Sequence, residues 1–333
     1  AVASLQGCAE AASDSKWDGA AQVEELGGCG VKAAVLFGDF FADYLECLLF
    51  AGLVAHFGAD NVHHAPDKAH FLPERAKKYP EASCWVPGLP RAKRHSDILA
   101  QIDTYDLIVT GHPASVEYAS LFAEIADRRP DRTVMVNGED AVQVKVMQSI
   151  HPTGRWFVRE YDPTMFSCRD GETFPLPLAL NAYDVPRFDA KADRDIPILW
   201  LGAGHFGRGP YIDVLKEYAP PGSVIRTEPT PRDEYLRLLS RSKYCIVLHG
   251  AGKQTYRLFE AAAYGCSLIS QWLPLMRDDA FEFAWTFRTP DELRSIIQDL
   301  PQSPIGTLYQ YQQIIQRHTH VARAAQFLAK ALP

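Results

Sequence analysis

The chain has 333 residues, 47% hydrophobic and 23% charged, a balance that suits a globular protein of about two domains. Its net charge of −7 gives no support to a nucleic-acid partner, and the one short basic run, Arg91 to Arg94, reads as a solvated loop. No apolar run reaches the roughly 18 residues that would span a bilayer, and the N-terminus has no charged region followed by an apolar core, so no signal peptide is expected.

Residues 1–30 are rich in Ala, Gly, Ser and acids with little periodicity and read as a poorly ordered arm. From there strand and helix signals alternate. "KAAVLF" (32–37) is a short apolar run, and "ADYLECLLFAGLVAHFG" (42–58) has helical spacing and ends in glycine. "HHAPDKAH" (63–70) offers three histidines at a spacing that fits no common zinc site and reads as a surface loop. "YDLIVTG" (105–111) is a buried strand, "SVEYASLFAEIADRRP" a helix stopped by proline, and "RTVMVNGED" (132–140) a strand running into a polar turn. Between about 150 and 195 the rhythm breaks, and the prolines and charges of "FPLPLALNAYDVPRFDAKADRD" read as a domain end and connector.

The rhythm then restarts. "IPILWLG", "SVIRTEP", "KYCIVLHG" and "CSLIS" are strands. "YIDVLKEYA", "RDEYLRLLSRS", "QTYRLFEAAAYG" and "TPDELRSIIQDL" are helices, the last with a Thr N-cap. "FEFAWTF" (281–287) reads as a core strand, and Leu308 to Leu332 as one long amphipathic helix. The pattern is that of an α/β protein: two tandem Rossmann-like doubly wound domains, with ligands expected in a cleft at the strands' carboxyl ends. The expected division is an arm at 1–30, a first domain at 31–180, a connector at 181–195, a second domain at 196–305, and a C-terminal helix at 306–333 packing back toward the first domain.

Two glycine-rich turns carry the chemistry. The first, "LGAGHFGRG" (201–209), spells G-x-G-x-x-G after a strand, and places Gly204 and Arg208 at a turn where a backbone can approach phosphates. The second is "LHGAGKQTYRLFEA" (248–261), where His249, Gly250 and Gly252 lead to a helix expected to begin near Gln254 and Thr255. A helix N-terminus attracts anions, Lys253 and Arg257 add positive charge, and Glu260 stands where a carboxylate would accept from a ribose diol. In the first domain, residues after strands are candidates for a general base: Asp39 and Asp43, His112, and the pair Glu139 and Asp140. Each of these is also an ordinary helix-cap or turn residue.

The run "SKYCIVLHGAGKQTYRLFEAAAYGCSLIS" resembles the carboxyl-terminal half of GT-B-fold glycosyltransferases, in particular the group-1 and CgeB-like (spore-maturation-protein-like) branch. "VMVNGED", "WFVREYDP", "FPLPLALN" and "DDAF" followed by "TPDELRSII" occur in the same order as in that branch. The resemblance implies a nucleotide-sugar donor in the second domain. Glu260 would hold the ribose, the 250–255 turn with Thr255 the diphosphate, and Lys253 and Arg257 its charge. It implies transfer to an acceptor hydroxyl without a metal or other cofactor, the donor being UDP- or GDP-linked. The acceptor is left open among a glycan, a lipid-linked sugar, a protein and a metabolite. Many retaining members carry a second glutamate where this chain has Gly252, so the stereochemical outcome is open too.

Two other readings exist. A NAD(P)-dependent oxidoreductase would use the 202–207 turn, with Glu228 as the ribose acid about 20 residues on. A noncatalytic nucleotide-binding α/β protein would hold the same ligand without turnover. Seven scattered cysteines with no C-x-x-C pair read as reduced thiols of a cytoplasmic protein.

Overall fold

The computed structural model describes residues 30–38, 43–68, 71, 81–140, 144–166, 171–189, 193–205, 207–304 and 306–332. The arm, apart from Gly30, and Asp39 lie outside them, as do Cys8, Cys29 and Cys168. The chain divides into two units: the first runs to Asp184 and takes back the segment from Thr319 onward, and the second runs from Val185 to His318.

The first unit holds a six-stranded sheet, all parallel: β1 (Ala33–Leu36), β2 (Val62–Ala65), β3 (Leu107–Thr110), β4 (Thr133–Asn137), β5 (Arg155–Val158) and β6 (Thr173–Pro175), in the order β2-β1-β3-β4-β5-β6. Parallel strands buried on both faces read as short apolar runs, which is why β1, β3 and β4 are plain in the sequence. β2 is not: its residues are Val-His-His-Ala, and it stands at the sheet edge. The surface-loop reading of "HHAPDKAH" is therefore corrected. His63 and His64 are strand residues, and His64 and Lys68 are buried, while His70 lies outside the described residues. β5 and β6 likewise fall inside the segment where the rhythm had seemed to stop.

Helix α1 (Tyr44–Phe57) follows β1 and is buried along most of its length. It starts at Asp43, whose side chain accepts from the Glu46 amide, and stops at Gly58, which takes φ +83°. The helices α2 (Val116–Arg128), capped by Ser115, and α3 (Val144–Ile150) complete the crossovers. Trp156, Tyr105, Phe122 and Met135 centre the core beneath them.

The second unit repeats the plan. Its strands are β7 (Ile196–Leu201), β8 (Val224–Arg226), β9 (Ser242–Val247), β10 (Ser267–Gln271) and β11 (Trp285–Phe287), all parallel, in the order β11-β10-β9-β7-β8. The helices are α4 (Gly209–Tyr218), α5 (Arg232–Ser240), α6 (Arg257–Ala263), α7 (Pro290–Asp299), capped by Thr289, and α8 (Thr307–His318). Only the last three residues of "FEFAWTF" form a strand.

The long C-terminal helix is in fact two. Thr319 is extended, its side chain accepts from the Ala322 amide, and the chain turns there into α9 (His320–Ala331). The His320 amide donates to the Leu180 carbonyl, and α9 packs on α1 within the first unit. Among the described residues, no helix is long and apolar enough to cross a membrane.

Candidate functional site

Each sheet has one topological switch point, where the chain crosses from one side of its first strand to the other. In open α/β sheets ligands bind at the carboxyl edge there. In the first unit this edge lies between β1 and β3, in the second between β7 and β9.

In the second unit the two glycine-rich turns meet at that edge. The Arg208 side chain is 9% exposed and ties them together: Nε donates to the His249 carbonyl at 2.7 Å and Nη1 to the Ala203 carbonyl at 3.0 Å. A Cβ on Gly202 would lie 3.3 Å from Arg257 Nη1 and 3.5 Å from Arg208 Nη1. A Cβ on Gly250 would lie 3.5 Å from Arg208 Nη2 and 3.7 Å from the Thr255 methyl. Of these four approaches, only that of Gly202 to Arg257 is tighter than an ordinary contact, and the two guanidinium groups stand together beside it. Burial, and then Arg257, hold the Arg208 guanidinium below its ordinary pKa; Arg stays charged even so. Burial, then Lys253, lowers the His249 imidazole. Among the described residues His249 Nε2 and Thr255 Oγ1 are buried polar atoms with no hydrogen-bond partner.

The other residues expected at this edge take less expected places. Gly204 and Lys253 are exposed, and Gly252 is buried, its carbonyl accepting from the Gly250 amide at 2.9 Å. The helix expected near Gln254 begins at Arg257, and the amides of Leu258, Phe259 and Glu260 are already taken by the Thr255 and Tyr256 carbonyls. The positive charge of this edge therefore comes mainly from side chains rather than from a free helix N-terminus. Glu260 is 2% exposed, and its Oε2 accepts from Tyr235 Oη at 3.0 Å, while the Arg257 guanidinium stands 5.7 Å from the Tyr235 ring centre. Glu228, the acid of the oxidoreductase reading, is engaged with its own neighbour Thr227.

In the first unit the loops after β1 and β3 are in backbone contact: the Ala114 amide donates to the Gly38 carbonyl, and a Cβ on Gly38 would overlap the His112 carbonyl. His112 and Glu139 are linked through buried Asn137, whose Oδ1 accepts from the Glu139 amide at 3.0 Å and whose Nδ2 is 3.5 Å from His112 Nδ1. Asp140 pairs with Arg159, which also donates to the Gly138 carbonyl at 2.6 Å.

The sharper group is one that sequence reasoning left largely unread. Asp43 and Glu46 are one turn apart on α1. Glu46 Oε1 accepts from the His112 amide at 2.9 Å. The Asp43 carboxylate is against Gly138 and the Glu46 carboxylate against Gly111, so both reach the carboxyl edge of the sheet. Burial pushes Asp43 up to about 6, with its neighbours Lys68 and Arg159 opposing. Burial, and then Asp43, push Glu46 well above its usual range. Lys68 is fully buried, with Nζ 4.7 Å from the Phe37 ring centre. Asp43 was a candidate as a residue after a strand. Glu46 had one available signal, a carboxylate inside the otherwise apolar "YLECLLF". Among the described residues no group of three or more His, Cys, Asp or Glu is arranged to hold a metal ion.

Residues 191–329 match the family described as glycosyl transferase-like. Among solved structures, the chain is similar to HepE from Anabaena, determined in complex with UDP and glucose, at 12% identity and a TM-score of 0.55, with 91% of this chain and 99% of that one covered. It is similar to a glycosyltransferase from Rickettsia africae at 9% identity and a TM-score of 0.54, covering 91% and 98%. A sucrose-phosphate synthase from Thermosynechococcus elongatus is similar at 15% identity and a TM-score of 0.52, covering 89% and 97%. A comparison with curated proteins gives no match. The fold is that of the two-domain GT-B glycosyltransferases, and the oxidoreductase alternative finds no support.

Proposed function

We propose that the chain is a glycosyltransferase of the group-1, CgeB-like branch. It would move a sugar from a nucleoside-diphosphate donor, UDP- or GDP-linked, to an acceptor hydroxyl. One observation carries this reading: the paired Arg208 and Arg257 guanidiniums against Gly202 and Gly250, at the carboxyl edge of a sheet in a glycosyl transferase-like region. As the sugar leaves, negative charge grows on the diphosphate, and fixed cations in a partly buried site stabilise that charge more in the transition state than before it. Lys253, exposed at the same turn, adds a mobile charge. Glu260, beside Tyr235, would take the ribose.

The acceptor side is assigned to the first unit. The hydroxyl must lose a proton as the new bond forms, and a carboxylate with a pKa near 6 is matched to that work near neutral pH. Asp43 fits best, with Glu46 and the His112 amide setting its surroundings. His112, Glu139 and Asp140 are then assigned to acceptor contacts. A cytoplasmic setting suits the four described cysteines, Cys47, Cys84, Cys245 and Cys266, all free thiols and buried.

The test is donor turnover. With UDP- and GDP-sugars the protein should release free nucleoside diphosphate, slowly with water as acceptor. Arg208→Gln and Arg257→Gln should remove that release while leaving the circular dichroism unchanged. Nucleotide binding with no release under any donor would favour a noncatalytic binding protein instead.

A further inference from the structure

One feature of the first unit stands outside the machinery described above. A cavity of about 760 Å³ opens beside the carboxyl end of the edge strand β2, where Pro66 follows Ala65. Arg91, Lys93, Arg94 and His95 form one wall, and Pro66 and Phe71 stand among its apolar residues. This is the short basic run that the sequence suggested was only solvated surface.

The charges in that wall are not equal. Arg94 is spent: its Nε and Nη2 donate to both oxygens of Asp97 at 3.0 and 2.9 Å. Lys93 has no carboxylate partner among the described residues. Its Nζ lies 3.2 Å from His63 Nδ1, a nitrogen that also receives the Tyr105 hydroxyl at 2.7 Å. Lys93 can only donate, so this nitrogen accepts, and an imidazole, neutral or cationic, offers Lys93 no opposite charge. Arg91 makes no ion pair among the described residues. His95 Nε2 is buried without a hydrogen-bond partner there, its ring 5.5 Å from that of Tyr118. Asp67 is the one acid among the described lining residues. Arg91 and Lys93, neither in a salt bridge among the described residues, thus line a partly apolar hollow, inside a protein whose net charge is −7.

A run of packed side chains leads from the hollow toward the carboxylate pair. Phe71, in its lining, is 5.9 Å from Phe37 by ring centres, and Phe37 carries Lys68, which acts on both Asp43 and Glu46.

We propose that this cavity binds a phosphomonoester on the acceptor, with Arg91 and Lys93 taking the phosphate and Pro66 and Phe71 covering the group that carries it. A dianion uses two cations, where a carboxylate would leave one unsatisfied. The word acceptor rests on the transferase reading; the phosphate site does not. The phosphate belongs either to a free phosphorylated compound or to a lipid headgroup, and the chemistry of recognition is the same.

Two arms of one experiment separate these sources. In the first, phenyl phosphate is titrated calorimetrically into the full chain, with phenol as the neutral control. In the second, the protein is sedimented with phosphatidylcholine vesicles with and without phosphatidic acid. Each arm is repeated on the double variant Arg91→Gln/Lys93→Gln and on Arg257→Gln. The expected result is binding in at least one arm, absent with the neutral control. It should weaken at least about tenfold in the double variant, the scale of one lost charge-assisted hydrogen bond. It should be unchanged in Arg257→Gln and undisturbed by UDP or GDP. Binding of phenyl phosphate alone identifies a free phosphate, and retention by phosphatidic acid identifies a lipid one; either sustains the site. No binding in both arms, full binding by the double variant, or displacement by the nucleotide would overturn it. A parent that binds phenyl phosphate but no nucleotide would sink the transferase reading and leave this site standing. The reverse pattern would do the opposite.

Discussion

At the scale of single residues, the Asp43 and Glu46 pair is the costly feature. Two carboxylates one helical turn apart repel each other, opposed by Arg159 and Lys68 at Asp43 and by Lys68 at Glu46. The folded pKa of Asp43, about 6, lies above its ordinary 3.8. A raised carboxyl contributes stability that is fully present below the unfolded value and is lost as pH rises through the folded one. Asp43→Asn keeps a good N-cap and removes the charge. It should therefore raise the melting temperature above about pH 6 and leave it unchanged below about pH 4. The same change should lower the transfer rate by about 10²- to 10⁴-fold, the usual worth of a general base. In the parent the rate should fall as pH drops below about 6, since the base must be ionised to act. A variant as active as the parent, or one less stable at neutral pH, would count against Asp43 as the base. At the other site, Arg257→Ala should weaken nucleoside-diphosphate binding by about 1.5–3 kcal/mol, read by titration calorimetry. Unchanged affinity would mean the phosphates bind elsewhere.

At the scale of elements, α1 and α9 show why contacts overrule propensity. Gly52 sits in the middle of α1, where alanine is intrinsically better by about 1 kcal/mol. Here a Cβ would lie 2.3 Å from the His320 carbonyl and 2.6 Å from the Ala324 methyl. Gly52→Ala should therefore destabilise the first unit by about 1–3 kcal/mol, seen as a lower denaturation midpoint; a higher midpoint would show that α9 does not pack as described. Much of this architecture was legible. β1, β3, β4, β7, β9 and β10 are apolar runs bounded by polar turns, and Thr289 and Ser115 announce their helices. What stayed hidden was set by tertiary partners. β2 has two histidines and is a strand because it pairs with β1. The break at Thr319 interrupts a continuous helical pattern because the chain there bonds to Leu180. At the site, the glycines and Arg257 were legible from spacing. Arg208 as a clamp and Glu46 as a buried acid were not, since neither role has a local signature.

At the scale of the whole molecule, an acidic chain places positive charge at two defined spots, the turns after β7 and β9 and the hollow beside β2. Local placement, rather than net charge, decides which anions it meets. The two units have separate cores, so a ligand held by one should stabilise that one selectively. Calorimetric scanning should show a nucleoside diphosphate raising the unfolding of the second unit more than that of the first. Equal shifts would mean that the units unfold as one cooperative body.

The Arg208 and Arg257 edge is proposed as a nucleoside-diphosphate site. It is tested most directly by titration calorimetry of the parent and of Arg208→Gln and Arg257→Gln with UDP, GDP and NAD. The expected result is saturable binding of UDP or GDP, lost or strongly weakened in both variants, and no binding of NAD. Binding of NAD instead, or nucleotide binding that both variants retain in full, would contradict it.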